Sequence, residues 1–391
     1  MKTVTGEAPG RLDFMGGVAD YSGSLVLEMP LSLTTRVTIS ATPAPELVFT
    51  SAGEGYCSLP PGAAPAETPK WVRYPYGCLL LFCAAQRWRP KFGLVFHIES
   101  DVPASMGVSS SAALEVATLR ALEKFSGKKF KGTALARLAQ RAENEIVGAP
   151  CGLMDQLASA NGVRGALLPI LCRPDTLLAP VKLPAGVIAV GWPSGVKHAV
   201  TDSPYATARA GAFMGKKLIE HGTGRKLAHA TELAPSEVRS LPEAVLPAAI
   251  TGRDFIVRCG GMDDTLSKVE PARSYAVRAA VSFPVEENFR SETAVALLRG
   301  LNARNREESL RALGELLFQS HAGYSSIGLG CPETDAMVGA VRAAGPARGF
   351  YGARVSGGGS GGTVVVLLKA TALPALKKIA RGLGRPVVVI R

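Results

Sequence analysis

The segment Pro103-Ala-Ser105-Met106-Gly107-Val108-Ser109-Ser110-Ser111-Ala112 puts small residues between an alternating apolar stretch and an Ala/Leu-rich stretch. A loop of small residues that opens a helix lets the backbone approach a polyanion. The helix end adds free N–H groups and the positive pole of its dipole. Ser109, Ser110 and Ser111 supply hydroxyls suited to phosphate oxygens or a hydrated Mg²⁺. No G-K-[ST] is present, so this is not a Walker loop. The same residues also suit a Ser/Gly turn that caps a core helix.

Three further segments carry chemistry-bearing residues. Val355-Ser356-Gly357-Gly358-Gly359-Ser360-Gly361-Gly362-Thr363 is either a flexible linker or a glycine loop packed closely against backbone or ligand. Its flanks, Tyr351-Gly-Ala-Arg354-Val and a six-residue apolar run, suit the packed loop better. Pro9-Gly10-Arg11-Leu12-Asp13-Phe14-Met15-Gly16-Gly17-Val18-Ala19-Asp20-Tyr21 alternates charge, apolar bulk and turn glycines, and read plainly is a strand and loop with Arg11 and Asp13 solvated. Asp155, in Cys151-Gly-Leu-Met-Asp155-Gln, is a buried-site carboxylate or a helix N-cap. Glu143 and Glu145 both flank the apolar face of a helix expected over 134–147, and helical spacing does not choose between them.

The elements that must hold these residues alternate between strand and helix. A period-two pattern predicts a strand at Phe92–Ile98, and strands are also expected within 25–40, among small and β-branched residues, at 187–191 and at the run 363–368. Helices are expected from Ala112 to Phe125, near 134–147, from about Leu153, at 205–220 and at 305–321. The proline-rich stretch 43–70 reads as irregular. Glycines and prolines from Gly162 to Pro184 suggest a boundary near 165–185, with lobes at 1–175 and 176–391.

Composition excludes several classes. The longest apolar runs fall short of the roughly 18 residues a membrane span needs, and the N-terminus shows no secretory apolar region. Seven scattered cysteines without a C-x-x-C pair suit a reducing, cytoplasmic setting. The net charge of +12 is spread along the chain, which argues for attraction to a polyanionic small molecule rather than to nucleic acid. No strand-G-x-G-x-x-G-helix is present, so a dinucleotide-binding dehydrogenase is excluded.

Taken together and in order, these segments resemble the GHMP kinase superfamily, and within it the galactokinase-like group. Pro9-Gly10-Arg11 and Asp20-Tyr21-Ser22-Gly23 match its P-G-R and D-Y-x-G, and Gly107-Val-Ser109-Ser110-Ser111-Ala112 matches G-L-S-S-S-A. Pro150-Cys151-Gly152-Leu153-Met154-Asp155-Gln156 matches P-C-G-I-M-D-Q, and Arg354-Val-Ser356 with its glycines matches the third motif. Where galactokinases carry E-H-T-D, this chain has Gly17-Val18-Ala19-Asp20. That form, with Tyr275-Ala-Val-Arg278, Glu287-Asn288-Phe289-Arg290 and Gly328-Leu-Gly330, resembles the kinase half of plant L-arabinokinases. Those plant enzymes also bear a glycosyltransferase-like half that this sequence does not contain.

The resemblance implies an α+β, two-lobed GHMP kinase fold. Its N-terminal lobe is ribosomal protein S5-like, its C-terminal lobe is α/β, and the active site lies in the cleft between. It implies an ATP- and Mg²⁺-dependent sugar-1-kinase acting on L-arabinose, with D-galactose as the alternative substrate and a catalytically silent sugar sensor as a third reading. By the same resemblance Asp155 is the base or orienting carboxylate, and Arg11 offsets charge on the transferring phosphoryl. Ser105, Met106, Gly107, Val108, Ser109, Ser110, Ser111 and Ala112 bind ATP, and Ser111 and Glu143 hold the metal. Gly17, Val18, Asp20, Gly152 and Tyr205 line the sugar site, with Tyr205 following an S-N-V-R-H-like Ser194-Gly-Val-Lys197-His198. Gly357, Gly358, Gly359 and Gly361 form a structural loop. The partners expected are a sugar and ATP, with no nucleic acid or membrane, in a monomer or homodimer.

Overall fold

A computed structural model describes residues 2–60, 62–149, 151–196, 204–386 and 390. The chain forms two compact units. The first comprises Met1–Arg11, Pro30–Ala104 and Val108–Arg164, and the second Leu12–Met29, Ser105–Gly107 and Gly165–Arg391. The lobes expected at 1–175 and 176–391 follow chain order, whereas these units exchange short segments, because packing rather than local composition defines them.

The strands whose larger part lies in the first unit are β1 (Thr3–Met15) and β2 (Leu25–Thr42), which pair, and β3 (Leu47–Ser51), β4 (Gly55–Leu59) and β5 (Gly93–Ser100), in the order β4-β3-β5-β2. The stretch expected to be irregular therefore contains a hairpin. Leu47-Val48-Phe49 finds a parallel partner in β5, while Pro43, Pro45 and Pro60 stay outside the strands. Phe49 stacks on Phe96 at 4.8 Å, and Val37 and Ile39 face Ile98 and Phe96 across the antiparallel β2–β5 pair. Helices α1 (Lys70–Gln86), α2 (Ser110–Ser126), α3 (Ala134–Arg141) and α4 (Met154–Asn161) accompany this sheet. Phe82, Val116, Leu122 and Leu138 from the helices join the strand residues in one core. The helix expected over 134–147 is α-helical only to Arg141; Ala142–Val147 is a π turn, closed by left-handed Gly148. Such turns widen the helix by one residue and re-aim side chains.

In the second unit Leu25–Glu28 of β2 pairs with β6 (Leu168–Leu171), which pairs with β7 (Thr176–Leu177). There follow β8 (Val187–Pro193), α5 (Pro204–Thr223), α6 (Pro235–Ser240), β9 (Ile250–Thr251), α7 (Gly252–Cys259) and β10 (Ser274–Tyr275). The unit ends with α8 (Val277–Arg299), α9 (Arg306–Ser326), α10 (Pro332–Ala344), β11 (Phe350–Ser356), β12 (Thr363–Lys369) and α11 (Leu373–Gly382). Strands β11-β12-β8 form an antiparallel sheet whose Val190, Trp192, Val364 and Val366 pack with Phe318 of α9, Met337 of α10 and Leu376 of α11. Helix α9 lies very close to β11. A Cβ on Gly314 would sit 2.0 Å from Tyr351 O, and one on Gly352 would sit 2.4 Å from Gly314 O. Among the described residues no helix is long and apolar enough to cross a membrane.

Candidate active site

In the first unit the chain reaches α2 through Ser109, which adopts left-handed φ 57°, ψ 50°. A non-glycine residue held there is strained, and such strain gathers at working sites. The twist turns the Ser109 hydroxyl to Asp155, in the first turn of α4, where Oγ donates to Oδ2 at 2.6 Å. Arg11 of β1 binds the other oxygen, with Nε donating to Oδ1 at 2.9 Å and the second nitrogen 2.7 Å from it. Its own N–H donates to Val108 O at 3.0 Å. Arg11 is 3% exposed, so the solvated reading of it does not hold; the carboxylate justifies its burial. Asp155 is not the cap of α4, a position taken by Leu153.

The π turn separates the two glutamates that spacing left equivalent. Glu143 is buried, and its Oε2 accepts from Gln156 Nε2 at 2.7 Å and from Cys151 Sγ at 3.5 Å. Burial first and the Asp155 charge second push its pKa up to about 7, against a hydrogen bond from Ser111. Glu145 is exposed and paired with Arg141 at 2.7 Å, which holds its pKa below the usual range. Sequence reasoning missed Glu115, fully buried on α2, whose Oε2 accepts from the same Gln156 Nε2 at 3.1 Å. Burial and the Glu143 charge raise its pKa well above the ordinary. The available signal was an acid, Glu115, set among apolar residues near the start of the run 112–125.

Among the described residues no group of three His, Cys, Asp or Glu side chains could hold a metal ion. Mg²⁺ does not need one, since it takes one or two carboxylates and completes its shell with phosphate oxygens and water. Buried Glu143, raised in pKa beside Asp155 and bonded to the Ser111 hydroxyl, is a hard oxygen set short of positive charge. That chemistry fits the ion.

In the second unit Gly17–Ser22 is a buried 3₁₀ turn containing Gly17, Val18 and Asp20. Tyr205 opens α5 and meets the Tyr21 ring edge-on at 6.2 Å. Arg209, one turn further, pairs with Asp264 at 3.0 Å, lies over Tyr21 at 5.1 Å, and interacts electrostatically with both Tyr205 and Asp20. The glycine run is no linker. It joins β11 to β12, and is pinned by Ser360 N to Leu329 O at 2.8 Å, Gly362 N to Val196 O at 3.0 Å and Ser194 N to Gly362 O at 2.8 Å. Gly358, Gly359 and Gly361 complete it. Ser105 and Gly107 have positive φ, and Met106 O accepts from Thr363 Oγ1 at 2.7 Å.

The first unit thus gathers Arg11, Ser109, Ser111, Glu143 and Asp155, with Val108, Ser110 and Ala112 at the start of α2 and half-buried Gly152 just before α4. The second holds Gly17, Val18, Asp20, Tyr205, Ser105–Gly107 and the glycine loop. Pro150, Lys197, His198 and Asp202 of the motifs lie outside the described residues.

Comparison with known proteins gives two matches to family descriptions, GHMP kinases N terminal domain over 73–163 and GHMP kinases C terminal over 295–383. The L-arabinokinase of Arabidopsis thaliana is 33% identical over 92% of this chain, which spans 42% of that protein. The galactokinase of Bos taurus is 33% identical over 94% of the chain and 84% of its own length. The solved structure of Lactococcus lactis galactokinase complexed with galactose superposes with a TM-score of 0.80 at 21% identity, covering 100% of this chain and 93% of that one. Its mixed α+β fold is the fold seen here. The Methanococcus jannaschii mevalonate kinase structure gives 0.62 at 16% identity. With the ordered motifs and this fold, the chain belongs to the galactokinase-like sugar kinases of the GHMP kinase family.

Proposed function

We propose that the protein transfers the γ-phosphoryl group of MgATP to the anomeric hydroxyl of L-arabinose. The observation that carries this reading is Asp155, held on one oxygen by Arg11 and on the other by Ser109 at the start of α2. The sugar C1 oxygen forms the new bond to the γ-phosphorus as the bond to the ADP oxygen breaks, and Asp155 takes or orients the hydroxyl proton. Arg11 faces the charge that develops on the attacking oxygen and the transferring group. The α2 end offers N–H groups and the Ser110 and Ser111 hydroxyls to phosphate. Glu143 and Ser111 would hold Mg²⁺, which when bound offsets the charge of the β- and γ-phosphates.

Glu143→Gln is accordingly expected to raise the Mg²⁺ concentration needed for half-maximal activity at least about tenfold, whereas Glu145→Gln, at an exposed ion pair, changes it little. A titration of activity against Mg²⁺ reads this directly, and equal shifts would remove Glu143 from the role.

Sugar choice rests on the 17–20 turn. L-Arabinopyranose matches D-galactopyranose at C1 to C4 and lacks the hydroxymethyl on C5. Gly17 and Val18 offer no side-chain hydrogen bond to an extra hydroxyl, while Asp20 remains for shared ring hydroxyls. Apolar sites reject an added hydroxyl by only about 10². A preference for L-arabinose with measurable galactose activity is therefore expected, and steady-state kcat/KM on both sugars tests it. A larger kcat/KM for galactose would favour the second reading, galactokinase, which the likeness to the bovine enzyme supports.

A further inference from the structure

Three successive amides of the 16–18 turn are each held by a side chain. Gly16 N donates to Glu287 Oε1 at 3.1 Å, Gly17 N to Asp13 Oδ1 at 3.2 Å and Val18 N to the Tyr324 hydroxyl at 3.2 Å. Two of these acceptors also hold the glycine loop. Asp13 Oδ2 accepts from Gly357 N at 3.0 Å, and the Tyr324 hydroxyl donates to Gly357 O at 2.7 Å. Asp13 and Tyr324 therefore each bridge the turn to the loop, from side chains that are fully buried. A Cβ on Gly17 would lie 2.0 Å from the Tyr324 hydroxyl oxygen and 2.2 Å from Asp13 Oδ2, and the next nearest atom, a nitrogen of Arg354, is 3.2 Å away. Two oxygens alone fill the start of the space that a side chain at 17 would need.

We propose that Asp13 and Tyr324 are positioning residues for sugar selectivity, a double clasp that keeps residue 17 free of a side chain and locks the sugar-site turn to the glycine loop. The proposal rests on the reading that the 17–20 turn faces the sugar. Neither residue touches substrate. They act by fixing where Val18 and Asp20 stand, and the same oxygens that do so exclude a larger residue at 17. Selectivity is then a property of an internal network as much as of the residues at the sugar, and a side chain at 17 meets both oxygens of the clasp at once.

Tyr324→Phe keeps the ring against Phe283 and deletes both hydroxyl bonds. It is expected to raise KM for the preferred sugar about fivefold or more, with kcat and KM for ATP changed less than about twofold. Loosening the turn should also lower the ratio of kcat/KM for L-arabinose over D-galactose. Gly17→Ala alone is expected to be worse, and the double variant Gly17→Ala/Tyr324→Phe better than the product of the single effects, because one of the two clashing oxygens is gone, although Asp13 Oδ2 at 2.2 Å keeps it impaired. Amide hydrogen exchange of the full chain should quicken together at 16–20 and 357–362 in Tyr324→Phe, a readout that needs no activity. An unchanged sugar KM, strictly multiplicative effects, or faster exchange in only one segment would each overturn the proposal. A wild type that prefers galactose would instead overturn the substrate reading and leave the clasp to be judged on KM and exchange.

Discussion

Asp155→Asn is expected to lower kcat by roughly 10²–10⁴-fold while ATP binding stays nearly intact, the loss typical of a removed, positioned proton acceptor. The substitution preserves shape. One amide oxygen can still accept from Arg11 or Ser109, so the backbone of α4 has no reason to move. What disappears is the negative charge and the second acceptor. Arg11, whose side chain is 4% exposed, would then face the site without its counter-charge, and the reacting hydroxyl would lose its partner. Arg11→Ala should also depress kcat, through lost stabilisation of the transferring phosphoryl. Single-turnover phosphoryl transfer with parallel nucleotide-binding titrations separates chemistry from binding. Near-normal turnover in a folded Asp155→Asn protein would mean that another group takes the proton role.

Arg354→Leu should cost about 3–5 kcal/mol of stability, the range for breaking a buried ion pair from one side. Arg354 and Asp13 are both fully buried, 2.9 Å apart, and Arg354 also donates to Asp13 O at 3.2 Å. Its guanidinium lies over the Tyr324 ring at 5.0 Å and contributes with Arg290 to holding the buried Glu287 carboxyl below its ordinary range despite desolvation. Leucine would replace the packing of β11 but leave the Asp13 carboxylate with hydrogen-bond donors and no neutralising charge. The comparison variant is Arg36→Ala, at a surface pair 3.7 Å from Glu99 with both side chains about half exposed, where a change below about 1 kcal/mol is expected. Urea denaturation of both variants measures the difference. A loss below about 1 kcal/mol for Arg354→Leu would show that the pair contributes little beyond its packing.

Much of the site was legible because its parts are short segments whose chemistry is local. A strand, a Ser/Gly loop and an Ala-rich helix follow one another, so the α2 end at Ser109–Ser111 could be read from residue types alone. The glycine run between strand-like flanks likewise announced a packed turn, and the β11–β12 register shows one. Other features depended on residues far apart in the chain. Arg11 and Asp13 look like ordinary solvated charges until Asp155 and Arg354 arrive from 144 and 341 residues away to justify their burial. The hairpin of β3 and β4 hid among prolines because Leu47–Phe49 becomes a strand only against β5. Glu143 and Glu145 are equivalent by helical spacing. The tertiary structure decides between them, since a π turn carries one into the core beside Gln156 and leaves the other paired with Arg141 in solvent. Sequence therefore determined the family, the order of the motifs and the kind of chemistry, which reside in local residue types. Burial, pairing and register belonged to the fold, because desolvation and hydrogen-bond geometry are set by neighbours that sequence distance does not reveal.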